Sequence, residues 1–387
     1  MNKKIIRITT VPGSLGGLGG LLTGQLKFMS QYYDVIGISS CGKGKLNEIG
    51  QEEGIRVIPV EMTRSITPVL DLKAVWKLYR IFRKEKPFIV HTHTPKAGTL
   101  GMLAAFFAGV PHRLHTIAGL PLLEARGKKR ILLDLVEKIT YAAASKIYPN
   151  SYGLQQIIID LKFTNIKKLK VIGNGSSNGI DTDYFNPELY TDDDKEKLRS
   201  SLGIRKNDIV YIFLGRMVKD KGINELIAVF KRLSENYTNI KLLLVGEYEK
   251  ELDPVLPETE DTIKNNPQII TVGWQKDVRP FFSIADLLTF PSYREGFPNV
   301  VLQAGAMGLP AIVTDINGCN EIIVEGKNGY IIPVKDEGEL YKAMEGFCLN
   351  FEKTAIFDIG NIRALIANKY SKQAIWEALL AEYNSLN

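Results

Sequence analysis

YIFLGRMVKDKGINELIAVF, residues 211 to 230, contains one complete strand, turn and helix. An apolar strand ends at Leu214, the turn carries Arg216 and Lys221, and a helix begins near Ile223. Ligands of open α/β sheets bind at the carboxyl ends of strands, and both cations fall there. Two fixed positive charges at such an edge are able to neutralise a diphosphate without a metal. In isolation the same residues also describe an exposed basic loop.

A second stretch with this grammar is FPSYREGFPNVVLQAGAMGLPAIVTD, residues 290 to 315. A strand ends at Phe290, Glu295 lies in the following turn, and Pro298 suits the first helical position. The backbone N–H groups of Asn299 and Val300 are then free donors at the positive end of a helix, suited to a phosphate. Gln303, one turn further in, reaches toward a ribose hydroxyl. The small residues Ala304, Gly305, Ala306 and Gly308 let the helix lie close to its sheet.

Around these stretches, strand-like and helical runs alternate along the whole chain, the signature of parallel α/β layers. KIIRITT, YDVIGISS, IRVIPV, FIVHTHT, HRLHTIA and SKIYPNS supply one set; DIVYIFLG, IKLLLVGE, QIITVGW, DLLTFPS, PAIVTD and GYIIPV supply the other. Their Ile, Val and Leu content is that of strands covered on both faces. The expectation is two doubly wound, Rossmann-like domains at 1–175 and 190–365. GNGSSNGIDTDYFNPELYTDDDKEK, residues 173 to 197, reads as the linker. SKQAIWEALLAEYNSL at 371–386 reads as an amphipathic helix with Trp376 and Leu379 on its apolar side.

GSLGGLGGLLTGQLKF, residues 13 to 28, is a glycine-rich turn after the first strand. It fails the dinucleotide fingerprint, because Leu22 occupies the third glycine position counted from Gly17 and Gly19. It fails the P-loop as well, since Gln25 and Leu26 follow Gly24 where lysine and a hydroxyl are needed. What survives is a turn that permits close backbone approach.

The 387 residues, 45% hydrophobic and 24% charged, describe an ordinary globular protein and exclude collagen-like, disordered and coiled-coil classes. Cys41, Cys319 and Cys348 are far apart, as reduced thiols of a cytoplasmic protein are. MNKKIIRITT lacks the apolar region of a signal peptide, and the longest mostly apolar stretch, 97–110, is too short to span a membrane. Residues 1–170 hold 26 Lys and Arg against 11 Asp and Glu, a balance of +15; the rest of the chain balances at −9. A basic half suits anionic lipid or a phosphorylated substrate better than nucleic acid, whose single-strand binders interleave cations with exposed aromatics. In DLKAVWKLYRIFRKEK (71–86), Lys73, Lys77, Arg80 and Lys84 share one helical face and Leu72, Val75, Trp76 and Tyr79 another. In EARGKKRILLDLVEK (124–138), four cations, Arg126 and Lys128 among them, precede an apolar helix.

All four histidines, His91, His93, His112 and His115, fall within 25 residues. No cysteine cluster or helical histidine pair completes a metal site with them. The acidic triplets at 181–183 and 192–194 imitate a metal-binding D-x-D, but they lie in the linker.

The pattern G-R-M-x-x-x-K-G at 215–222, followed about seventy residues later by E-G-F-P-N-V-V-L-Q-A, resembles the retaining nucleotide-sugar glycosyltransferases of the GT-B fold, family 4. The likeness runs through GNGSSNGIDTDYF and the C-terminal helix. HTHTPKAGTLG and HRLHTIAGLP are similar to the bacterial members that extend undecaprenyl-diphosphate-linked saccharides for capsule, O-antigen or glycan assembly. The resemblance implies two domains facing across a cleft, with a helix at 366–387 returning to the N-terminal domain. Arg216 and Lys221 then bind the donor diphosphate and stabilise the leaving nucleotide, Glu295 contacts hydroxyls of the transferred sugar, and His115 approaches that sugar. Gly16, Gly17, Gly215, Gly273, Gly296, Phe297, Asn299, Val300 and Gln303 complete the donor site; Lys96, Arg126 and Lys128 face the acceptor. Gln303 stands where the family's E-x7-E motif has its second glutamate, so a carbonyl replaces a carboxylate.

The implied activity is metal-independent transfer of a hexose or N-acetylhexosamine from a UDP-sugar, a co-substrate and not a cofactor. The implied enzyme sits peripherally on the inner leaflet of the plasma membrane and binds no nucleic acid. A UDP-sugar 2-epimerase of the same fold and a non-catalytic nucleotide-sugar or lipid binder are the alternatives.

Overall fold

Six parallel strands form one sheet in the order β3-β2-β1-β4-β5-β6: β1 (Lys4–Ile8), β2 (Asp34–Ser39), β3 (Arg56–Pro59), β4 (Ile89–Thr92), β5 (His112–Ile117) and β6 (Lys146–Pro149). Six more repeat that order as β9-β8-β7-β10-β11-β12: β7 (Ile209–Leu214), β8 (Ile240–Val245), β9 (Ile269–Thr271), β10 (Leu287–Phe290), β11 (Ala311–Thr314) and β12 (Gly329–Ile332). The first strand of each half is central, and the chain reverses direction beside it, β4 on one flank of β1 and β10 on one flank of β7. Such a switch point opens a crevice at the strands' carboxyl ends. The computed structural model describes residues 3–13, 17–63, 65–249, 251, 253–351 and 357–386. They divide into Met1–Gly179 with Lys372–Asn387, and Ile180–Ser371.

The central strands are apolar because helices cover both sheet faces. Ile5, Ile6 and Ile8 of β1 and Val210, Tyr211, Ile212 and Phe213 of β7 are fully buried. Each such side chain contributes roughly 1.5–3 kcal/mol. Arg7 breaks the pattern in the middle of β1. Its guanidinium is fully buried and donates from Nε to His93 Nε2 at 2.9 Å and from Nη2 to Gln25 Oε1.

The terminal helix Lys372–Asn384 completes the first unit. Leu379, Tyr383 and Leu386 join Ile5, Leu26 and Met29 in one apolar cluster. The Glu382 side chain, 1% exposed, accepts from Lys146 Nζ at 2.7 Å, from Tyr148 at 3.1 Å and from Lys170. Trp376 donates from its indole to Asn178 at 2.6 Å and closes over Gly24.

In the helix Pro68–Glu85 the packed stripe is Ala74, Leu78 and Phe82, whereas Leu72 and Trp76 are 71% and 61% exposed. That stripe joins Ala97, Leu100 and Ala104 of the neighbouring helix Pro95–Phe107 in one apolar core. A side chain at Gly19 would lie 2.6 Å from Ile49, so the glycine marks tight packing. The acidic run 192–194 is the first turn of the helix Asp192–Ser201. Thr191 and Asp194 form its capping box, and the negative charges meet the positive helix end.

Candidate functional site

Glycine lets three loops meet at the carboxyl edge of the second sheet. Gly246, after β8, has φ 147°, and a Cβ there would stand 1.8 Å from the Gly215 carbonyl, so the turns after β7 and β8 cross backbone to backbone. Gly222, with φ 71°, starts the helix Ile223–Asn236 against Pro291 of the loop after β10; a Cβ would lie 2.1 Å from its carbonyl. Tyr293 N donates to Asp220 O at 2.8 Å, and Arg294 pairs with Asp220 at 2.6 Å. These ties bring Lys221 Nζ to 2.5 Å from Glu295 Oε1, with the two side chains only 15% and 18% exposed. Ser292 donates to the same carboxylate oxygen at 3.3 Å. From the loop after β11, the Asn317 amide donates to the carbonyls of Glu295 and Gly296.

Arg216 is more open, 55% exposed, and pairs with Glu249 from the loop after β8. The helix Asn299–Ala306 begins beside Glu295 and Gly296 with Pro298 as its N-cap, so Pro298 sits one position before its expected place. No side chain caps this end, and the N–H groups of Asn299 and Val300 are available. Gln303 lies half-buried one turn in. Phe297 is buried against Tyr370 with ring centroids 5.4 Å apart, and Gly273 anchors the edge by accepting from Gly246 N at 2.9 Å. Two cations, a carboxylate and a helix N-terminus thus share one sheet edge, an arrangement that binds a polyanion and reads nearby hydroxyls.

In the first unit, three buried histidines stand on β4 (His91), directly after it (His93) and on β5 (His115). His91 engages Tyr383 through Nδ1 at 2.6 Å and Thr116 through Nε2 at 2.8 Å. His93 accepts from Arg7. His115 Nδ1 lies 2.8 Å from Thr92 Oγ1, and its ring packs on Gly98, where a Cβ would come within 2.4 Å. Among the described residues no three His, Cys, Asp or Glu side chains are grouped to hold a metal ion.

Two family models match the chain: glycosyl transferase 4-like over residues 25–151 and glycosyl transferases group 1 over 194–358. Over 386 residues the chain is 35% identical to the capsular polysaccharide biosynthesis glycosyltransferase CapM of Staphylococcus aureus, covering 99% of this chain and 97% of that one. The chain belongs to the GT4-type glycosyltransferases. This glycosyltransferase is also 31% identical over 289 residues to the UDP-Gal:alpha-D-GlcNAc-diphosphoundecaprenol alpha-1,3-galactosyltransferase of Escherichia coli, spanning 73% and 72% of the two chains. The crystal structure of Anabaena HepE in complex with UDP has the same GT-B fold, with TM-score 0.80 at 21% identity over 99% and 100% of the chains.

The sequence-derived donor residues of the glycosyltransferase gather at one edge: Arg216, Lys221, Glu295, Gly296, Asn299 and Val300 lie on loops joined by the bonds above. Gly16 lies outside the described residues. Gly17 caps the short helix Leu18–Leu21, with the carbonyls of Val11 and Pro12 against its α-carbon. His115 departs from expectation. It is 3% exposed and turned into the body of its unit, because strand alternation puts it on the face covered by the helix Pro95–Phe107. Lys96 pairs with Asp71, while Arg126 and Lys128 are exposed at the start of the helix Gly127–Ala143. Sequence reasoning missed Arg7, Gln25, Glu249 and Asn317, whose partners are set only by the folded backbone.

The histidine cluster has a measurable signature. Burial pushes His115 down to about 4 and holds His91 and His93 well below their ordinary value of 6.5. The unfolded chain takes up these protons near pH 6.5 and the folded unit does not, so stability present above that pH is lost as pH falls toward 4. His115 alone accounts for roughly 3 kcal/mol across that window. In the second unit, burial raises Asp286 to about 6 from 3.8; its folded form protonates first, and acidification through that window is stabilising. Hydrogen exchange corrected for intrinsic rates, read for each unit at pH 7 and pH 5, is expected to lose protection in the first unit and hold it in the second. Equal losses in both contradict these assignments.

Proposed function

We propose that this glycosyltransferase moves a hexose or N-acetylhexosamine from a UDP-sugar to a saccharide carried on undecaprenyl diphosphate, with retention of configuration, during capsule or related surface-polysaccharide assembly. The observation that carries the reading is the convergence of Arg216, Lys221 and the N-terminus of the helix Asn299–Ala306 on one sheet edge. The names of the S. aureus and E. coli relatives support the pathway and the acceptor class.

In the proposed step, the bond from the sugar C1 to the UDP β-phosphate oxygen breaks and its electron pair leaves with UDP. The acceptor hydroxyl oxygen bonds to C1 on the same face, and its proton passes to the departing phosphate. The transition state has oxocarbenium character, and stabilisation falls on the diphosphate where charge develops. Arg216, Lys221 and the free N–H groups supply it, without a metal or a cofactor. To do so the cations exchange Glu249 and Glu295 for phosphate oxygens, which frees Glu295 to accept from sugar hydroxyls. Gly215, Gly273 and Phe297 shape the donor site, and His115 acts as a positioning residue within the first unit through Thr92 and the helix Pro95–Phe107. Arg126 and Lys128 address the acceptor diphosphate at the inner leaflet, and Lys96, paired with Asp71, faces the acceptor lipid; among the described residues no helix is long and apolar enough to cross a membrane.

Gln303 is assigned to the ribose. Gln303→Ala is expected to raise the donor KM about tenfold, the loss of one hydrogen bond to a hydroxyl, while the acceptor KM stays fixed; parallel changes in both sink the assignment. The reading as a whole is tested by UDP release. The expected result is UDP release that depends on the lipid-linked acceptor; conversion of the donor to an isomeric UDP-sugar with no UDP released is the behaviour of an epimerase and rejects it.

A further inference from the structure

The first unit contains a pocket of 460 Å³ at the carboxyl ends of β1 and β4, within the range of about 300–1,000 Å³ typical of ligand sites. Val11 follows β1, Thr94 and Lys96 follow β4, and the far wall is the helix Gly127–Ala143 through Leu132, Leu133 and Val136. The lining is mostly aliphatic, with Leu100 and Leu122 at its base. Of its three charged members, Lys96 and Asp71 pair with each other, the other Asp71 carboxylate oxygen accepts from Thr67, and burial raises the Glu137 carboxyl above its ordinary value.

The apolar character continues outside. Ile131, Leu135 and Ile139, spaced by four along the same helix, are 70%, 54% and 40% exposed, and Leu132 at the rim is 46% exposed. Immediately before this stripe stand the exposed cations Arg126, Lys128 and Lys129. A concave aliphatic pocket, an apolar rim and a cluster of cations at one helix start are complementary to a molecule with a hydrocarbon chain on one side of an anionic group. A flat bilayer surface does not fill a pocket, and a free phosphate has no use for the aliphatic wall.

We infer that this pocket receives the diphosphate-proximal segment of the acceptor's isoprenoid chain, with Arg126, Lys128 and Lys129 on the diphosphate, so that the lipid as well as the saccharide is recognised. This rests on the proposed function and adds to it a lipid subsite within the first unit. Recognition of the chain makes the enzyme select its acceptor by lipid, beyond any attraction to the membrane.

The test compares two acceptors that carry the same saccharide diphosphate, one on undecaprenol in detergent micelles and one on a short water-soluble alkyl group. The unmodified enzyme is expected to prefer the long chain in kcat/KM. Val136→Trp and, from another wall, Thr99→Phe fill the pocket and are expected to lower the long-to-short preference at least about tenfold, the effect of withdrawing two or three buried methylene groups. An equal loss on both acceptors overturns the proposal, as does an unchanged preference in both variants. Ile131→Ser with Leu135→Ser probes the alternative: if it removes the preference in micelles while the pocket-filling pair does not, the surface docks on lipid assemblies and the pocket holds no chain. Absence of transfer to either acceptor by the unmodified enzyme rejects the proposed function itself, and is thereby distinct from failure of the lipid subsite.

Discussion

Arg216→Ala lowers kcat/KM for sugar transfer by about 10²–10³-fold, the cost of removing one preorganised donor from a developing oxyanion. The melting curve is unchanged, because the Arg216 side chain is 55% exposed and its partner is the surface carboxylate Glu249. Exposed ion pairs of this kind contribute about 0–1 kcal/mol. Lys221→Ala loses a similar factor in rate but behaves differently in stability. Its partner Glu295 is 18% exposed and is left with the Ser292 hydroxyl as its remaining side-chain donor, so the second unit melts earlier. The distinction separates a charge held for a ligand from a charge that also supports the fold. Steady-state kinetics with calorimetric unfolding of both variants gives the answer; wild-type rates in Arg216→Ala would remove the residue from the donor site.

A chain ending at Ser371 loses the first unit. The removed segment carries Ile375, Leu379, Tyr383 and Leu386, each buried to within a few per cent. At about 2 kcal/mol each their burial amounts to roughly 8 kcal/mol, comparable with the 5–15 kcal/mol that holds a whole domain. The truncation also strips Tyr383 from His91 and Glu382 from Lys146, Lys170 and Tyr148, and leaves the Tyr33 hydroxyl without Asn384. The second unit has its own core, from Ile180 to Tyr370, and is expected to keep it. Proteolysis followed by mass spectrometry should show cleavage throughout 1–179 and protection within 180–371. Equal protection of both segments contradicts the role given to the terminal helix.

The sheets and the cationic edge of the second one are legible because the information is local. A strand, a cationic turn and a helix in succession place Arg216 and Lys221 at a sheet edge, and E-G-F-P-N places Glu295 before a helix N-terminus. Partnerships across loops are not legible. Glu249 meets Arg216 only because Gly215 and Gly246 cross at backbone distance, a geometry without a sequence period. The resemblance turns His115 toward the transferred sugar, yet alternation along β5 sets it against Gly98. In residues 68–85 two overlapping apolar stripes compete, and the one through Ala74, Leu78 and Phe82 joins the core with the helix Pro95–Phe107. Arg7, inside an apolar strand, gave no sign of a buried network until Gln25 and His93 were seen around it.

On the proposed function, this chain joins a sugar from a UDP donor to a lipid-linked saccharide. Mass spectrometry of an undecaprenyl-diphosphate saccharide incubated with the enzyme and a panel of UDP-sugars tests it most directly. One donor is expected to add a single hexose or N-acetylhexosamine residue to the acceptor, with one UDP released for each product and addition by Arg216→Ala slower by about 10²–10³-fold. An acceptor of unchanged mass across the panel, with the UDP-sugars either intact or converted to isomers, would contradict it.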